Sequence, residues 1–298
     1  MNVLEYAKGV ERLVNPMEVG KVHYLQTKLA RLPVWIQKKL VTSTTKKADK
    51  MPFVVEPYCT FLFYELKNPS KIQKYLPEGF IPAKSAIFEG DRGKFYGIVT
   101  MFRVHTSVFW GSRAELYLVA ENAKTGLLSW IIMDYLSDTI SYDDKHGLKS
   151  PDVKQSVMTT TCEGEFLCDM KTLDKKKFIN CEIDLTNTKM KPLNKRLWIE
   201  GNTSIAYGRL AGEADGSLFS LTFFPEEMKQ ALEIPLSKVR LAKISDNADI
   251  GGVLERAVSF PFAQHMLSDS PGQITHYGSE AKLRAAAKAV DFSKIKTL

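Results

Sequence analysis

The chain has 298 residues, of which 44% are hydrophobic and 25% charged, an ordinary globular composition. Its formal net charge is +7, but ten basic and four acidic residues lie within positions 1–50, so the remainder is near neutral. A basic surface covering the whole protein, as a nucleic-acid binder would show, is therefore excluded, and we expect no nucleic-acid partner.

The N-terminal fifty residues predict a basic helical arm. Residues 1–14 and 21–41 have helical patterns of apolar residues, Pro33 is expected to kink or split the second helix, and 42–50 has the composition of a linker. One interpretation is an amphipathic helix for an anionic membrane surface. The interpretation we favour from sequence is an arm packed on the protein body or on a second subunit.

From residue 51 the pattern changes to strands separated by regular turns. Short helices are expected at 68–76, where Asn68 has the capping position, at 225–232 and at 279–290. Strands are expected at 58–66, 86–88, 94–105, 113–120, 126–133, 155–170, 178–185, 196–209, 217–224 and 239–244. This order predicts a mainly β protein, a barrel or sandwich with peripheral helices, in which 51–298 form a single domain ending in the C-terminal helix.

From the sequence we expect no signal peptide and no bilayer-spanning segment. Residues 1–14 mix charged and apolar residues, and the longest strongly apolar stretch, 126–133, is closed by Asp134. The four cysteines, Cys59, Cys162, Cys168 and Cys181, form no CxxC pair and are expected to be buried free thiols. On one extended strand Cys162 and Cys168 would point to the same side. We therefore expect a cytoplasmic protein.

Common catalytic and metal-binding motifs do not occur. The chain contains no glycine-rich phosphate loop, no GxSxG elbow and no HExxH sequence. The five histidines are separated from one another, and none has a neighbour at metal-ligand spacing. We therefore predict neither a metal nor a cofactor.

Two segments contain candidate polar site residues. In the predicted strand that follows Gly111, the side chains of Arg113, Glu115 and Tyr117 share one face. Burying Glu115 among apolar residues is costly unless it is paired, and an exposed edge-strand position is the alternative. The loop 143–154 contains Lys149 and Lys154, either of which could act as a Schiff-base nucleophile if desolvated. The alternative for that loop is a solvated segment with surface lysines.

Taken in order, the turn 76–82 (LPEGFIP), the strand 111–115 (GSRAE) and the lysine loop resemble the acetoacetate decarboxylase superfamily. The resemblance covers about residues 52–250 and implies a closed, cone-like β-barrel with Glu115 lining its pocket. Family decarboxylases have a G-x-P-K-K-like stretch whose first lysine forms the imine. Here Gly147 and Pro151 are further apart, and Asp152 follows the proline.

These observations leave two main hypotheses. The first is a small-molecule pocket inside the barrel that binds a keto acid or an apolar ligand without requiring imine chemistry. The second is a lyase in which Lys149 or Lys154 forms an imine with a small keto acid. In that case Glu115 would position substrate or transfer a proton, with Arg113, Arg103 and Tyr117 as substrate-binding candidates. We also expect a homo-oligomer, and the basic arm leaves a membrane-surface role open.

Overall fold

The structure is a computed structural model that describes residues 1–29, 31–33, 35–36, 39–40, 50–106, 110–138, 153–208, 218–244, 252–269 and 274–295. The strands of these ranges are β1 Lys50–Val55, β2 Cys59–Glu65, β3 Phe80–Pro82, β4 Lys84–Ser85, β5 Lys94–Thr106, β6 Trp110–Asn122, β7 Leu128–Ser137, β8 Val153–Thr160, β9 Glu165–Thr172, β10 Phe178–Asp184, β11 Lys189–Pro192, β12 Ser204–Tyr207, β13 Leu218–Phe223, β14 Gln230–Ile234, β15 Val239–Ile244, β16 Val253–Phe260 and β17 Gln264–Asp269. The longer helices are α1 Val3–Leu13, α2 Pro16–Leu29 and α3 Glu280–Ala289. Short helical segments are Pro69–Tyr75, Arg196–Glu200, Gly201–Thr203, Pro225–Met228, Leu236–Lys238 and Phe292–Lys294. No helix among these residues is long and apolar enough to cross a membrane.

Seven strands close into a barrel. They pair in the order β5-β1-β17-β13-β12-β7-β6, and β6 pairs back onto β5 to complete the ring. Neighbouring strands are antiparallel except for β12 and β7, which are parallel. Because the ring is closed, alternate residues of each strand point into one shared interior. The predicted mainly β fold with a closed barrel is confirmed.

Further strands extend from the barrel. The long strand β5 pairs with β1 near its end and with β2 earlier, and β2 continues into β16, β14 and β11. A separate antiparallel sheet has the order β15-β10-β9-β8. In β10 buried and half-buried side chains alternate, and its buried face joins an apolar cluster with Met101 and Ala114 of the barrel strands β5 and β6. The separate sheet is therefore packed against the barrel.

The prediction of one strand over 155–170 is wrong. The segment forms two paired strands, β8 and β9, joined by a turn in which Gly164 has φ +87°. A positive φ is accessible to glycine without strain and ends the first strand there. Cys162 lies in this turn and is exposed, whereas Cys59, Cys168 and Cys181 are buried free thiols. The expected shared face of Cys162 and Cys168 is therefore wrong as well.

The prediction of a strand over 196–209 is also wrong for most of its length. Residues 196–203 are helical, and only β12 is extended. The helical turn buries Leu197 and Trp198, and a side chain at Gly201 would collide with the indole ring of Trp130. The indole nitrogen of Trp130 also donates to the Leu197 carbonyl (3.1 Å). Long-range packing on Trp130 thus overrides the strand propensity of the local sequence.

Several smaller differences concern element bounds. The second helix begins at Pro16, earlier than the predicted position 21, and it ends at Leu29. Residues 35–36 and 39–40 are helical again, so the predicted helix is split around Pro33 as expected. Asn68 makes no side-chain capping bond to the short helix that follows it. The strand expected at 86–88 is replaced by β4, and Phe88 makes only an isolated bridge to Leu193. The helix expected at 225–232 ends at Met228 and is followed by strand β14. The strands that were not predicted are β1, β3, β11, β14, β16 and β17, although β1 and β17 are part of the barrel.

Helix α1 is docked on the barrel beside β1 and β17. Asn2 and Glu5 form a reciprocal capping box at its start, and Tyr6 is fully buried with its hydroxyl donating to the Thr222 carbonyl (2.8 Å). Buried His265 of β17 pairs with Glu227 (2.9 Å) and with Glu11 of α1 (3.2 Å). The first helix of the arm is therefore packed on the protein body.

The contact between His265 and Glu11 predicts a pH-dependent attachment of α1. Burial opposes the charged form of His265, but Glu227 and Glu11 outweigh it and raise its pKa. The two ion pairs of charged His265 therefore add to the folding stability below the ordinary histidine pKa of about 6.5. This added stability is lost as the pH rises through the raised pKa of His265. Glu11→Gln should cost less than about 1 kcal/mol at about pH 5.5 and nothing at about pH 9. Urea unfolding at both pH values tests this, and an equal cost at both would contradict it.

Candidate functional site

A cavity of about 80 Å³ lies inside the barrel. Its walls are mainly apolar and aromatic, with a small number of polar side chains. The lining residues are Phe53, Val55, Cys59, Phe61, Thr100, Phe102, Val104, Glu115, Tyr117, Trp130, Ile132, Trp198, Asn202, Ile205, Phe219, Leu221, Met228, Gln264 and Met266. Apolar walls with few polar groups are typical of sites for small organic molecules.

Strand β6 directs three polar side chains toward the barrel interior. Arg113, Glu115 and Tyr117 are spaced by two residues, so they share one face of the strand, and all three are buried. Glu115 is paired across the sheet with Thr100 of β5, and both residues line the cavity. Since β6 is paired with β5 on one side and β7 on the other, the alternative of an edge-strand Glu115 does not hold.

The three side chains form one hydrogen-bonded cluster, which we call the β6 triad. Arg113 Nε donates to Glu115 Oε1 (2.7 Å), and a second guanidinium nitrogen lies 2.6 Å from the same oxygen. The Tyr117 hydroxyl donates to Glu115 Oε2. Arg113 also donates to the Ser137 hydroxyl (3.1 Å) and lies over the Tyr135 ring. The buried charge of Glu115 is thereby compensated within the barrel wall.

The surroundings fix the protonation states of neighbouring groups. Burial opposes the charged form of Arg113, but Glu115, together with Tyr207 and Tyr135, outweighs it and raises the pKa of the guanidinium. Burial, reinforced by Glu115, raises the pKa of Tyr117 well above its ordinary value, and the same two causes raise that of Cys59. Arg113 therefore stays charged and Tyr117 stays a hydrogen-bond donor across the physiological range.

Gln264 is a further buried polar group of the cavity. It begins β17 opposite Val55 of β1 and is 2% exposed. Its side-chain nitrogen donates to the thioether sulfur of Met228 (3.1 Å), a weak acceptor. No described residue donates a hydrogen bond to its side-chain oxygen, Oε1. A buried carboxamide with so little internal bonding is suited to hydrogen bond a molecule in the cavity.

Arg103 does not join the β6 triad. It lies on the other face of β5 from Phe102, in a groove of about 270 Å³ between the barrel and the β8–β9 hairpin. Its Nε is 3.6 Å from Glu56 Oε2, and it donates to the Met158 carbonyl (3.3 Å). Cys59 and Phe102 line both the groove and the cavity, so the two spaces are neighbours separated by these side chains.

The side chains of the two candidate lysines lie outside the described residues. Lys149 lies outside the described residues. Lys154 is the second residue of β8, and only its backbone is described. All cavity-lining residues that the structure describes are neutral apart from Glu115, whose carboxylate is paired with Arg113.

Sequence reasoning found the β6 triad but missed Thr100, Trp130, Trp198 and Gln264. Trp198 and Gln264 lie far along the chain from β6, in segments whose structure was predicted wrongly or not at all, whereas Thr100 and Trp130 lie in predicted strands next to β6. Thr100 could have been found, because it is a single polar residue among apolar ones in a predicted strand. Gln264 gave no signal, because the strand containing it, β17, was not predicted.

Comparison with known proteins gives matches only at the level of structure. No protein-family model and no curated protein sequence matches the chain. One similar structure is acetoacetate decarboxylase from Legionella pneumophila subsp. pneumophila str. Philadelphia 1, with 11% identity, coverage of 79% of this chain and 92% of that chain, and a TM-score of 0.47. A second, from structural studies of acetoacetate decarboxylase, has 13% identity, coverage of 74% and 86%, and a TM-score of 0.40. No site residue or activity of this chain follows from these similarities.

Proposed function

We propose that this protein binds a small, uncharged and mostly apolar molecule in the barrel cavity, without forming a covalent bond to it. The observation that carries the proposal is the cavity itself. Its walls are apolar and aromatic, and among the described residues the one charged side chain that lines it, Glu115, is already paired with Arg113. Binding would be driven mainly by burial of apolar surface.

The charge arrangement favours an uncharged ligand over a keto acid anion. A carboxylate entering the cavity would approach Glu115, which repels it. The guanidinium of Arg113 does not offset this repulsion, because it is already paired with Glu115. Desolvating the incoming anion adds a cost that no described lining residue offsets with a positive charge. A ketone, an alcohol or a primary amide would avoid both costs.

The polar groups of the cavity favour a ligand with one hydrogen-bonding function. Gln264 offers an amide whose internal partner is only a thioether, and Glu115 is fixed by Arg113 and Tyr117 as an acceptor. The volume of about 80 Å³ is smaller than the roughly 150 Å³ of a cavity that accommodates benzene. A short-chain molecule is therefore the expected size class.

The test is a binding experiment on the wild-type protein and the Gln264→Leu variant. Calorimetric titration would use matched short-chain alcohols, methyl ketones, amides and carboxylates. We expect the uncharged compounds to bind and the carboxylates not to. Gln264→Leu should weaken binding of the best compound about fivefold to tenfold, the value of roughly one hydrogen bond.

Gln73→Leu provides the matched control. Gln73 also donates one side-chain hydrogen bond, to the Phe80 carbonyl (2.8 Å), but it does not line the cavity. Its replacement should leave the affinity unchanged. No binding by any uncharged compound, or an equal loss in both variants, would contradict the proposal.

A further inference from the structure

The outward face of helix α2 combines apolar, aromatic and basic side chains. Met17, Lys21, Tyr24 and Lys28 follow one another at intervals of four, three and four residues, so they lie on one face, and all are exposed. Met17 is 71% and Tyr24 61% exposed, and the Lys28 ammonium group lies 5.5 Å from the centre of the Tyr24 ring. Such a stripe is unusual on a surface that only water contacts.

The same character continues after α2. Leu32, Trp35 and Leu40 are exposed, Trp35 by 66%, and the exposed basic residues Arg31 and Lys39 lie between them in the sequence. Together with the α2 stripe these residues form what we call the arm surface. It is made of Met17, Lys21, Tyr24, Lys28, Arg31, Leu32, Trp35, Lys39 and Leu40.

The arm surface is attached to a fixed body. Helix α1, which precedes α2 by two residues, is held by buried Tyr6, Val10 and Leu13 and by the Glu11–His265 contact. Whatever binds the arm surface is thereby connected to the barrel through a docked helix. Its partner must accept exposed aromatic rings and several positive charges at the same time.

We propose that the arm surface binds the surface of an anionic lipid bilayer. Tryptophan and tyrosine are favoured at the level of lipid headgroups, where one end of the ring is apolar and the other hydrated. Lysine and arginine extend their apolar stems along the bilayer surface and place their charges at lipid phosphates. Leu32, Leu40 and Met17 would enter the acyl boundary.

Charge complementarity favours a bilayer over a second copy of the chain. Two copies meeting through this surface would bring Lys21, Lys28, Arg31 and Lys39 of each against the same residues of the other. The whole chain also has a formal net charge of +7. Like charges placed directly opposite repel, whereas anionic lipids attract the same residues.

Vesicle sedimentation with the full chain tests this inference. We expect the protein to sediment with vesicles of phosphatidylcholine mixed with phosphatidylserine, and not with phosphatidylcholine alone. High salt should weaken the binding, because it screens the basic residues. Replacing both Tyr24 and Trp35 by glutamate should weaken binding at least tenfold.

Leu173→Glu is the matched control. Leu173 is 69% exposed in the turn between β9 and β10, remote from the arm in the chain, so it introduces a charge at a similar surface without touching the arm. It should bind like the wild type, and thermal unfolding should show that both variants remain folded. Binding that is absent, independent of phosphatidylserine or equal in both variants would overturn the inference. So would a molar mass that halves in the Tyr24/Trp35 variant, which would assign the surface to a second copy.

Discussion

Replacing Arg113 by methionine should lower the free energy of unfolding by about 3–5 kcal/mol. The variant keeps a side chain of similar length but removes the cation that compensates Glu115, which is buried in the barrel wall. An unpaired carboxylate in such a place loses its hydration without a substitute. Urea unfolding followed by tryptophan fluorescence measures the change.

A second substitution separates the charge effect from the loss of packing. Adding Glu115→Gln to Arg113→Met removes the stranded charge and keeps an oxygen that accepts from the Tyr117 hydroxyl. The double variant should recover most of the lost stability, since a buried pair replaced as a unit is often nearly neutral. A double variant as unstable as the single one would show that Glu115 is not the buried, paired charge described above.

Replacing Trp198 by alanine should cost about 3–5 kcal/mol and enlarge the cavity. Trp198 is fully buried and its indole nitrogen donates to the Ile87 carbonyl (2.8 Å). Its ring makes edge-to-face contacts with Phe61 at 5.0 Å and Phe260 at 5.2 Å between centroids. Chemical unfolding measures the loss of stability.

The same variant should change which ligands bind. Because Trp198 lines the cavity, its removal should shift the preference toward longer or bulkier uncharged molecules. Trp35→Ala is the control, since this tryptophan is largely exposed and its removal should change stability by no more than about 0.5 kcal/mol. An unchanged size preference in Trp198→Ala would contradict the assignment of the cavity as the binding site.

The barrel and part of its site follow from local sequence patterns. The alternation in β6 was sufficient to put Arg113, Glu115 and Tyr117 on one face, because the side-chain period of a strand is two. Because burying an unpaired carboxylate is costly, the sequence left two possibilities for Glu115: buried with a partner, or exposed to solvent. The partners of Glu115 depend on side-chain rotamers, which the sequence does not specify. In the structure these partners are Arg113 and Tyr117.

The remaining parts depend on contacts between distant segments. The helical turn at 196–203 exists because Trp198 and Gly201 pack against Trp130, about seventy positions earlier. Similarly, β17 forms a barrel strand by pairing with β1 and β13, and its own sequence of mixed polar and apolar residues shows no clear period. Gln264 therefore enters the cavity through topology, which a local pattern does not contain.

The measurement that tests the central claim most directly compares an uncharged ketone with a keto acid of the same chain length. Each is titrated calorimetrically against the wild-type protein, then treated with borohydride and analysed by peptide mass spectrometry. We predict tighter binding of the ketone and no covalent adduct with either compound. Tighter binding of the keto acid, with an adduct on Lys149 or Lys154, would contradict the claim and show an imine-forming lyase instead.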